Sequence, residues 1–383
     1  MSRSSALRTV TVGLAVSLLL LTACNSGSDS TSSSSNSGGS GAGSADLVAQ
    51  AKANVADLMA RPTTFEVPAL PQKPEGGKTV DFVVCPTPTC QDFVPFLKEA
   101  TDAVGWNLQT VQGGFEPTDI TNAWNKVVRD KPDGVIASGG VDPSLFANQL
   151  KQLHDDNIPV VLHDQSATDD PAVIGVVLSD DANRQFGQNL ADAIIADSNG
   201  KDVHLGIFAT PQVPVFTNLG KALTETITSD ACSGCSVKTE QFKVSDAGSA
   251  LPSRVVSFLR ANPDTNYLFF DFNDAVDGVP AALQQAGLND QVKLLMNNIA
   301  KTESEYMRND QVWAAAANPW PEVLWQDLNL ILTETQGAPL DPALAVKLPN
   351  WILTKDNLPE GDASMFPLVE NYQDIFKKAW GLT

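Results

Sequence analysis

Short apolar, mostly β-branched runs alternate with amphipathic stretches along this chain from Thr79 onward. The runs, which we predict to be strands, cover residues 79–84, 134–138, 159–163, 174–178, 203–209, 267–270 and 292–295. The stretches predicted to be helices cover 93–103, 143–153 and 275–286, and another helix follows Asp181. Strands and helices that alternate in this way form a mainly parallel sheet with helices on both faces. Because 383 residues exceed one ordinary compact core, we expect an α/β protein with two such doubly wound sheets, one in each of two lobes.

Charge and composition argue against two classes of function. The chain has 25 Lys and Arg residues against 45 Asp and Glu residues, a formal net charge of −20. Such a charge repels phosphate backbones, so we expect no nucleic-acid partner. Since the whole chain has 3 histidines, a histidine-built metal centre or hydrolase site is a poor interpretation, and we expect no metal and no cofactor.

The first residues resemble the signal sequence of a bacterial lipoprotein. Arg3 and Arg8 flank the start of an apolar run over 10–21, which is shorter than the roughly 20 residues of a membrane-spanning helix. The run ends in Leu-Thr-Ala-Cys24, which resembles a lipobox, where the cysteine is lipidated and becomes the mature N-terminus. We therefore expect a cleaved signal over 1–23, a lipid on Cys24 and a location outside the cytoplasm on the cell membrane. The alternative is an ordinary signal peptide followed by a chance cysteine.

A flexible tether follows the predicted lipid anchor. Fifteen of the twenty residues from 25 to 44 are Ser or Gly, a composition typical of a coil with a root-mean-square reach of about 25 Å. Apolar residues then recur at helical spacing over 45–60, and a Pro-rich stretch over 62–74 leads into the main body. We assign 24–44 to the linker and 45–78 to an N-terminal helix and lead-in.

Four cysteines remain after Cys24, and an even number in an exported chain indicates disulfides. Three pairings are possible. We favour local pairing of Cys85 with Cys90 and of Cys232 with Cys235, because turn-forming residues separate each pair. A redox function for the Cys232–Cys235 motif lacks a thioredoxin-like context.

Polar and aromatic side chains gather where the predicted strands end. They are Gln91, Asp92 and Phe93; His163, Asp164 and Gln165; Phe216, Thr217 and Asn218; Asn273 and Asp274; Asn297 and Asn298; and Asn318 and Trp320. Open α/β sheets bind ligands at the carboxyl ends of their strands. Amides, carboxylates and aromatic rings together indicate a pocket for a neutral, hydroxyl-rich small molecule. The alternative is that each residue simply caps a helix or forms a turn.

Four segments resemble the sugar-binding branch of the type I periplasmic binding proteins of ABC importers, which includes ribose-binding protein. The segments are Pro159 to Gln165, Ser179-Asp180-Asp181 with Phe186-Gly187, Phe272-Asn273-Asp274 with Gly278, and Leu353 to Asn357. Their order and spacing carry the resemblance, which extends over about three-quarters of the chain, from Val80 to Leu358.

The resemblance implies two α/β lobes that are joined by three crossovers, near Asp180, Asn318 and Asn350, and that close on a ligand at this hinge. The first lobe would comprise 79–180 and 319–350, and the second 181–318 and 351–383. Position by position, the resemblance implies ligand contacts at Gln91, Phe93, Asp164, Gln165, Thr217, Asn273, Asn298 and Asn318. To these we add Phe216 and Trp320 on chemistry alone.

Three positions depart from the family pattern. Gln165 and Thr217 stand where the family has arginine, and Asn298 stands where it usually has aspartate. These losses weaken the case for a monosaccharide in a charged hydrogen-bond cage and favour a polyol, a glycoside or a less polar neutral compound.

Three classes of function follow from these features. The favoured one is a monomeric, lipid-anchored receptor that is not an enzyme and delivers its solute to an ABC permease. A receptor that signals to a membrane kinase, or one with a nucleoside or aromatic ligand, would use the same lobes. An extracellular glycoside hydrolase would need paired carboxylates such as Asp164 and Asp274, but no nucleophile motif accompanies them.

Overall fold

The computed structural model describes residues 41–361 and 365–383. The predicted signal, Cys24 and the linker up to residue 40 lie outside the described residues. Among the helices of the described ranges, none combines the length and the apolar character needed to cross a bilayer.

The first lobe is built on a five-stranded sheet in the order β2-β1-β3-β4-β5, with every pairing parallel. Its strands are β1 (Thr79–Val84), β2 (Asn107–Gln112), β3 (Gly134–Ala137), β4 (Val160–His163) and β5 (Val173–Val177). The helices before and within this lobe are α1 (Gly41–Met59), α2 (Pro88–Gln91), α3 (Phe93–Val104), α4 (Pro117–Asp130) and α5 (Ala147–Asp155), and a 3-10 turn covers Pro143–Phe146. All residues of β3 and β4 are buried, as expected for parallel strands with helices on both faces.

The second lobe is built on a six-stranded sheet in the order β11-β10-β9-β8-β6-β7, in which β11 alone runs antiparallel to its neighbour. Its strands are β6 (His204–Ala209), β7 (Ser236–Gln241), β8 (Tyr267–Phe270), β9 (Lys293–Asn297), β10 (Ala314–Ala317) and β11 (Trp351–Leu353). The remaining helices are α6 (Asp180–Ser198), α7 (Pro214–Ile227), α8 (Leu251–Ala261), α9 (Val279–Ala286), α10 (Lys301–Arg308), α11 (Trp320–Thr335), α12 (Asp341–Leu344) and α13 (Tyr372–Ala379). The two parallel-strand sheets confirm the predicted α/β fold class.

Three predicted helices differ from the observed ones, and the one predicted over 143–153 divides into the 3-10 turn at Pro143–Phe146 and α5. The predicted helix over 275–286 divides into a 3-10 turn at Asn273–Val276 and α9, because Pro280 lacks an N–H and fits the first turn of a helix. The predicted N-terminal helix over 45–60 begins earlier, at Gly41, inside the segment assigned to the linker.

The chain passes between the lobes after β5, after β10 and before β11. Although α11 follows a strand of the second lobe, it packs against α3 and β4 of the first. Two further segments also connect the lobes. The lead-in over 60–78 runs from α1, which packs on α6, to β1, and the segment after β11 ends in α13.

The C-terminal helix differs from the predicted grouping, which placed 351–383 in the second lobe. In the structure α13 packs on α11 of the first lobe. The rings of Trp325 and Trp380 stack with their centroids 5.2 Å apart, and Phe376 lies beside both. This aromatic contact is long-range in sequence, so local patterns could not indicate it.

Candidate functional site

A cavity of about 70 Å³ lies between the lobes, at the carboxyl ends of the strands of both sheets. Its lining residues come from nine strand ends and the segments that follow them: Cys85, Thr87, Thr89, Cys90, Phe93, Phe115, Gly139, His163, Asp164, Val213, Phe216, Val244, Phe272, Asn273, Asp274, Asn297, Asn298, Asn318 and Trp320. Most of the lining surface is apolar. The cavity therefore suits a small solute with an apolar face and a few polar groups.

Aromatic rings form one wall of the cavity. The centroids of Phe93, at the start of α3, and Trp320, at the start of α11, lie 4.5 Å apart. The His163 ring lies 5.6 Å from Phe93 and 5.5 Å from Trp320. Within the described ranges, the indole Nε1 of the buried Trp320 has no hydrogen-bond partner. The wall thus combines apolar ring faces with one available donor.

His163 is held by a carboxylate behind the cavity. Its Nδ1 lies 2.6 Å from Oδ2 of Asp327 on α11, and both side chains are fully buried. Burial raises the pKa of Asp327, and the neighbouring His163 opposes that rise. When Nδ1 carries the proton and donates to Asp327, Nε2 is left as an acceptor, and it has no partner among the described residues.

A polar network crosses the cleft between the lobes. From the first lobe, Thr89 Oγ1 donates to Asp274 Oδ1 at 2.7 Å. In the second lobe, Asn273 Nδ2 contacts Thr89 Oγ1 at 2.8 Å and Glu303 Oε2 at 3.1 Å, while Asn298 Nδ2 donates to Asn273 Oδ1 at 3.0 Å. The Asn273 amide is therefore satisfied by protein groups and helps to hold the lobes together.

The amide of Asn318 differs from that of Asn273 in its hydrogen bonding. Asn318 follows β10 at the crossover into α11, and its side chain is 4% exposed. Neither its Oδ1 nor its Nδ2 has a hydrogen-bond partner in residues 41–361 and 365–383. A buried amide without partners costs about 1–3 kcal/mol, so a ligand that pairs with it gains correspondingly.

Carboxyl groups at and behind the cavity have raised pKa values. Burial raises the pKa of Asp164 to about 6 and that of Asp271, directly after β8, to about 8. Burial, together with the neighbouring Asp274 and Asp277, raises the pKa of Glu303 to about 7. None of the lining residues in the described part of the chain is Lys or Arg.

Two lining residues have left-handed backbone conformations although they are not glycine. Asp164 has φ 52° and Asn298 has φ 66°. Asn and Asp tolerate this region better than other residues, and such conformations collect at ligand sites. The conformation turns both chain segments sharply at the strand ends, directly beside the cavity.

Comparisons with known proteins agree with this geometry. The family model for the periplasmic binding protein domain matches residues 87–337. The chain belongs to this family. Its structural neighbours are substrate-binding proteins of sugar ABC transporters with the type I fold.

Three solved structures illustrate the likeness. An ABC sugar transporter subunit from Rhodobacter sphaeroides has a TM-score of 0.63 at 18% identity, covering 73% of this chain and 99% of its own. The 5-methylthioribose transporter solute-binding protein from Thermotoga lettingae has a TM-score of 0.66 at 15% identity. The match covers 82% of this chain and 94% of that protein. A solute-binding protein from Agrobacterium vitis with bound allitol has a TM-score of 0.62 at 15% identity. The match covers 79% of this chain and 99% of that protein. A search of curated proteins returned no match.

Seven of the ten predicted contact residues line the cavity of this periplasmic binding protein: Phe93, Asp164, Phe216, Asn273, Asn298, Asn318 and Trp320. The structure places the other three elsewhere. Gln91 is exposed and donates from Nε2 to Cys85 O at 2.7 Å, which fastens its own turn. Gln165 donates to Val141 O within the first lobe, and Thr217 is exposed because it lies about 100° around α7 from the cavity-facing Phe216.

Sequence reasoning missed several lining residues. The Cys85–Cys90 bond, which joins the predicted pair, lies against the cavity together with Thr89. His163 was among the strand-end residues, but only its pairing with the distant Asp327 makes it notable. Cys232 is bonded to Cys235, also the predicted pair, away from the cavity.

Proposed function

We propose that this periplasmic binding protein is a lipid-anchored, extracytoplasmic receptor that captures a sugar, polyol or glycoside between its lobes and delivers it to an ABC permease. The observation that carries the proposal is the cavity itself. It lies between the two sheets, and it combines an aromatic wall with the unpartnered amide of Asn318. Aromatic faces cover the apolar side of such solutes, and amide groups pair with their hydroxyls.

The related structures support this class of solute. The bound molecules of three neighbours are allitol, α-D-tagatopyranose and 5-methylthioribose. The aromatic wall of this chain's cavity can cover the apolar face of a solute of this kind.

Closure of the lobes is the step that a solute would stabilise. Thr89 already contacts Asp274 across the cleft, and Gly140 of the first lobe approaches Val213 of the second. A solute that binds Phe93 on one side and Asn298 on the other adds contacts available in the closed arrangement alone. Its binding free energy therefore shifts the equilibrium toward the closed form, whose surface a permease would recognise.

The anchor rests on the lipobox-like ending at Cys24. We expect the expressed chain to partition into detergent, and we expect Cys24→Ala to remove the lipid and release the protein. Mass spectrometry of the mature N-terminus tests this directly. A mature chain that begins at another residue would contradict it.

A thermal-shift screen tests the solute class. The mature chain is heated with pentoses, hexoses, polyols and glycosides, and in parallel with nucleosides and aromatic acids. A solute at one hundred times its dissociation constant adds about 2.7 kcal/mol to stability, which raises the melting temperature by several degrees. A shift with the first set supports the proposal, and a shift confined to the second set overturns the solute class.

Uptake measurements test delivery. Deletion of the gene should abolish uptake of the radiolabelled solute found in the screen, and the wild-type gene should restore it. Unchanged uptake in the deletion strain would contradict delivery to a permease and favour a sensory receptor.

A further inference from the structure

The lining of the cavity is one-sided in charge. Asp164 and Asp274 both contribute to it, whereas none of the lining residues in the described ranges is Lys or Arg, and the one basic ring, His163, is turned by its Nδ1 toward Asp327. A carboxylate buried without a cationic partner is costly. The protein side of this site therefore has an unbalanced negative charge.

Asp164 is the carboxylate with hydrogen-bonding capacity to spare. Its Oδ1 accepts one hydrogen bond from Asn183 Nδ2 at 3.1 Å, and within residues 41–361 and 365–383 its Oδ2 accepts none. Asp274, by contrast, is already bonded by Thr89 and Asn273. Asp164 is 9% exposed and lines the cavity, so a partner for Oδ2 would come from a bound solute.

The unpartnered atoms around the cavity are mainly acceptors. Asn297 Oδ1 and Asn318 Oδ1 have no donor in the described part of the chain, and both residues are at least nine-tenths buried. When the Nδ1–H of a neutral His163 donates to Asp327, Nε2 is a further acceptor. Among the fully buried atoms around the cavity, the donors without a partner in the described ranges are Asn318 Nδ2 and Trp320 Nε1. A solute that mainly donates hydrogen bonds complements this set.

The aromatic wall also favours a positively charged group. The faces of aromatic rings carry partial negative charge and attract cations within about 6 Å. The rings of Phe93 and Trp320 lie 4.5 Å apart beside His163, in the same cavity as Asp164.

We propose that the solute carries a protonated amine that binds Asp164 Oδ2 beside this aromatic wall, so that the site takes an amino sugar, an amino polyol or a similar small hydroxylated ammonium compound. The inference rests on the proposed function and narrows its solute class. It replaces the neutral solute that the sequence indicated. An ammonium group supplies the missing positive charge and three donors at once.

Matched pairs of compounds test the inference on the mature chain. D-glucosamine is compared with D-glucose, and 1-amino-1-deoxysorbitol with sorbitol, by thermal shift and isothermal titration calorimetry at pH 7. We expect the amine of at least one pair to bind tenfold or more tightly than its hydroxyl twin. Equal binding, or tighter binding of the hydroxyl twin, overturns the inference while the proposed function stands.

Asp164→Asn tests the assignment to Asp164. Asparagine keeps the side-chain shape and tolerates the left-handed backbone at this position. We expect the substitution to weaken amine binding at least tenfold and to change binding of the hydroxyl twin less than threefold. Asp181→Asn, which removes the same charge from the exposed first turn of α6, should change neither.

The outcomes separate the two proposals. Amine binding that survives Asp164→Asn overturns the role of Asp164. If neither member of any pair binds and the wider screen of sugars, polyols and glycosides is also silent, the proposed function fails and this inference fails with it. The comparison of twins on the unmodified chain decides the charge preference even if Asp164→Asn does not fold.

Discussion

Single residues decide how closely the two lobes can approach. Gly140, after β3, has φ 63°, and a Cβ atom at this position would lie 2.4 Å from Val213 Cγ1 and 2.7 Å from the Asp164 carbonyl oxygen. Real Cβ atoms essentially never come this close to other heavy atoms. The absence of a side chain at Gly140 is therefore a requirement for closure.

Gly140→Ala should weaken solute binding at least tenfold, because the added methyl group holds the lobes apart. Isothermal titration with the solute found in the screen measures the effect. Gly287→Ala is the matched control: φ is 68° there, so the backbone strain is similar, but nothing lies within 4 Å of the new methyl group. Equal losses of affinity in both variants would show that strain, not lobe contact, is responsible.

The sequence indicated most of the candidate site because strand ends can be located from local patterns. Asp164, Asn273 and Asn298 follow short buried runs, and each lies at the cavity. The sequence could not show which of Phe216 and Thr217 faces the cavity, because the orientation of adjacent helical residues depends on how α7 packs. Nor could the sequence pair His163 with Asp327, which lies 164 residues away.

Elements differ in how far the sequence predicts them. Strands β3 and β8 were indicated because all four residues of each are buried and apolar. The sequence did not indicate the edge strands β2 and β7, because most of their side chains are exposed and polar and neither strand forms an apolar run. The predicted bounds of β1 and β8 are confirmed. The helix predicted from residue 275 begins instead at Val279, because Pro280 fits the first turn of α9.

The C-terminal helix should be an important source of stability. Trp380 is fully buried, stacks on Trp325 and donates from Nε1 to Asn329 Oδ1 at 2.8 Å. We expect Trp380→Ala to lower the free energy of unfolding by about 3–5 kcal/mol, as for other large-to-small substitutions in a core. Urea denaturation measures this.

Leu344→Ala is the control for that experiment, because Leu344 is 44% exposed on α12. Its effect should stay within about 0.5 kcal/mol. A loss below about 1 kcal/mol for Trp380→Ala would mean that α13 is not part of the cooperative core of the first lobe.

At the scale of the whole molecule, buried carboxyl groups link stability to pH. Burial raises the pKa of Asp271 to about 8, and the pKa of Glu303 and of Glu322 to about 7. The unfolded values are near 4. Between pH 4 and pH 8 the folded state therefore binds more protons than the unfolded state. The stabilisation that these carboxyl groups give the folded state is fully present below about pH 4 and is lost as the pH rises through 7 to 8.

The free energy of unfolding of the unliganded protein should therefore be lower at pH 8 than at pH 5.5. Each such group contributes at most about 1.4 kcal/mol per pH unit. Asp271→Asn should reduce the slope, whereas Asp356→Asn, an exposed carboxyl, should leave it unchanged. Urea denaturation at both pH values gives the result, and a stability that rises from pH 5.5 to 8 would contradict this account.

We expect the solute to bind between the lobes and to pair with the amide of Asn318. The most direct measurement is the dissociation constant of the solute for the mature chain, for Asn318→Ala and for Thr217→Ala, by isothermal titration calorimetry. We predict at least tenfold weaker binding by Asn318→Ala, because its unpartnered amide lines the cavity, and a change within twofold for the exposed Thr217→Ala. Unchanged affinity in Asn318→Ala, or a larger loss in Thr217→Ala, would place the solute outside this cavity.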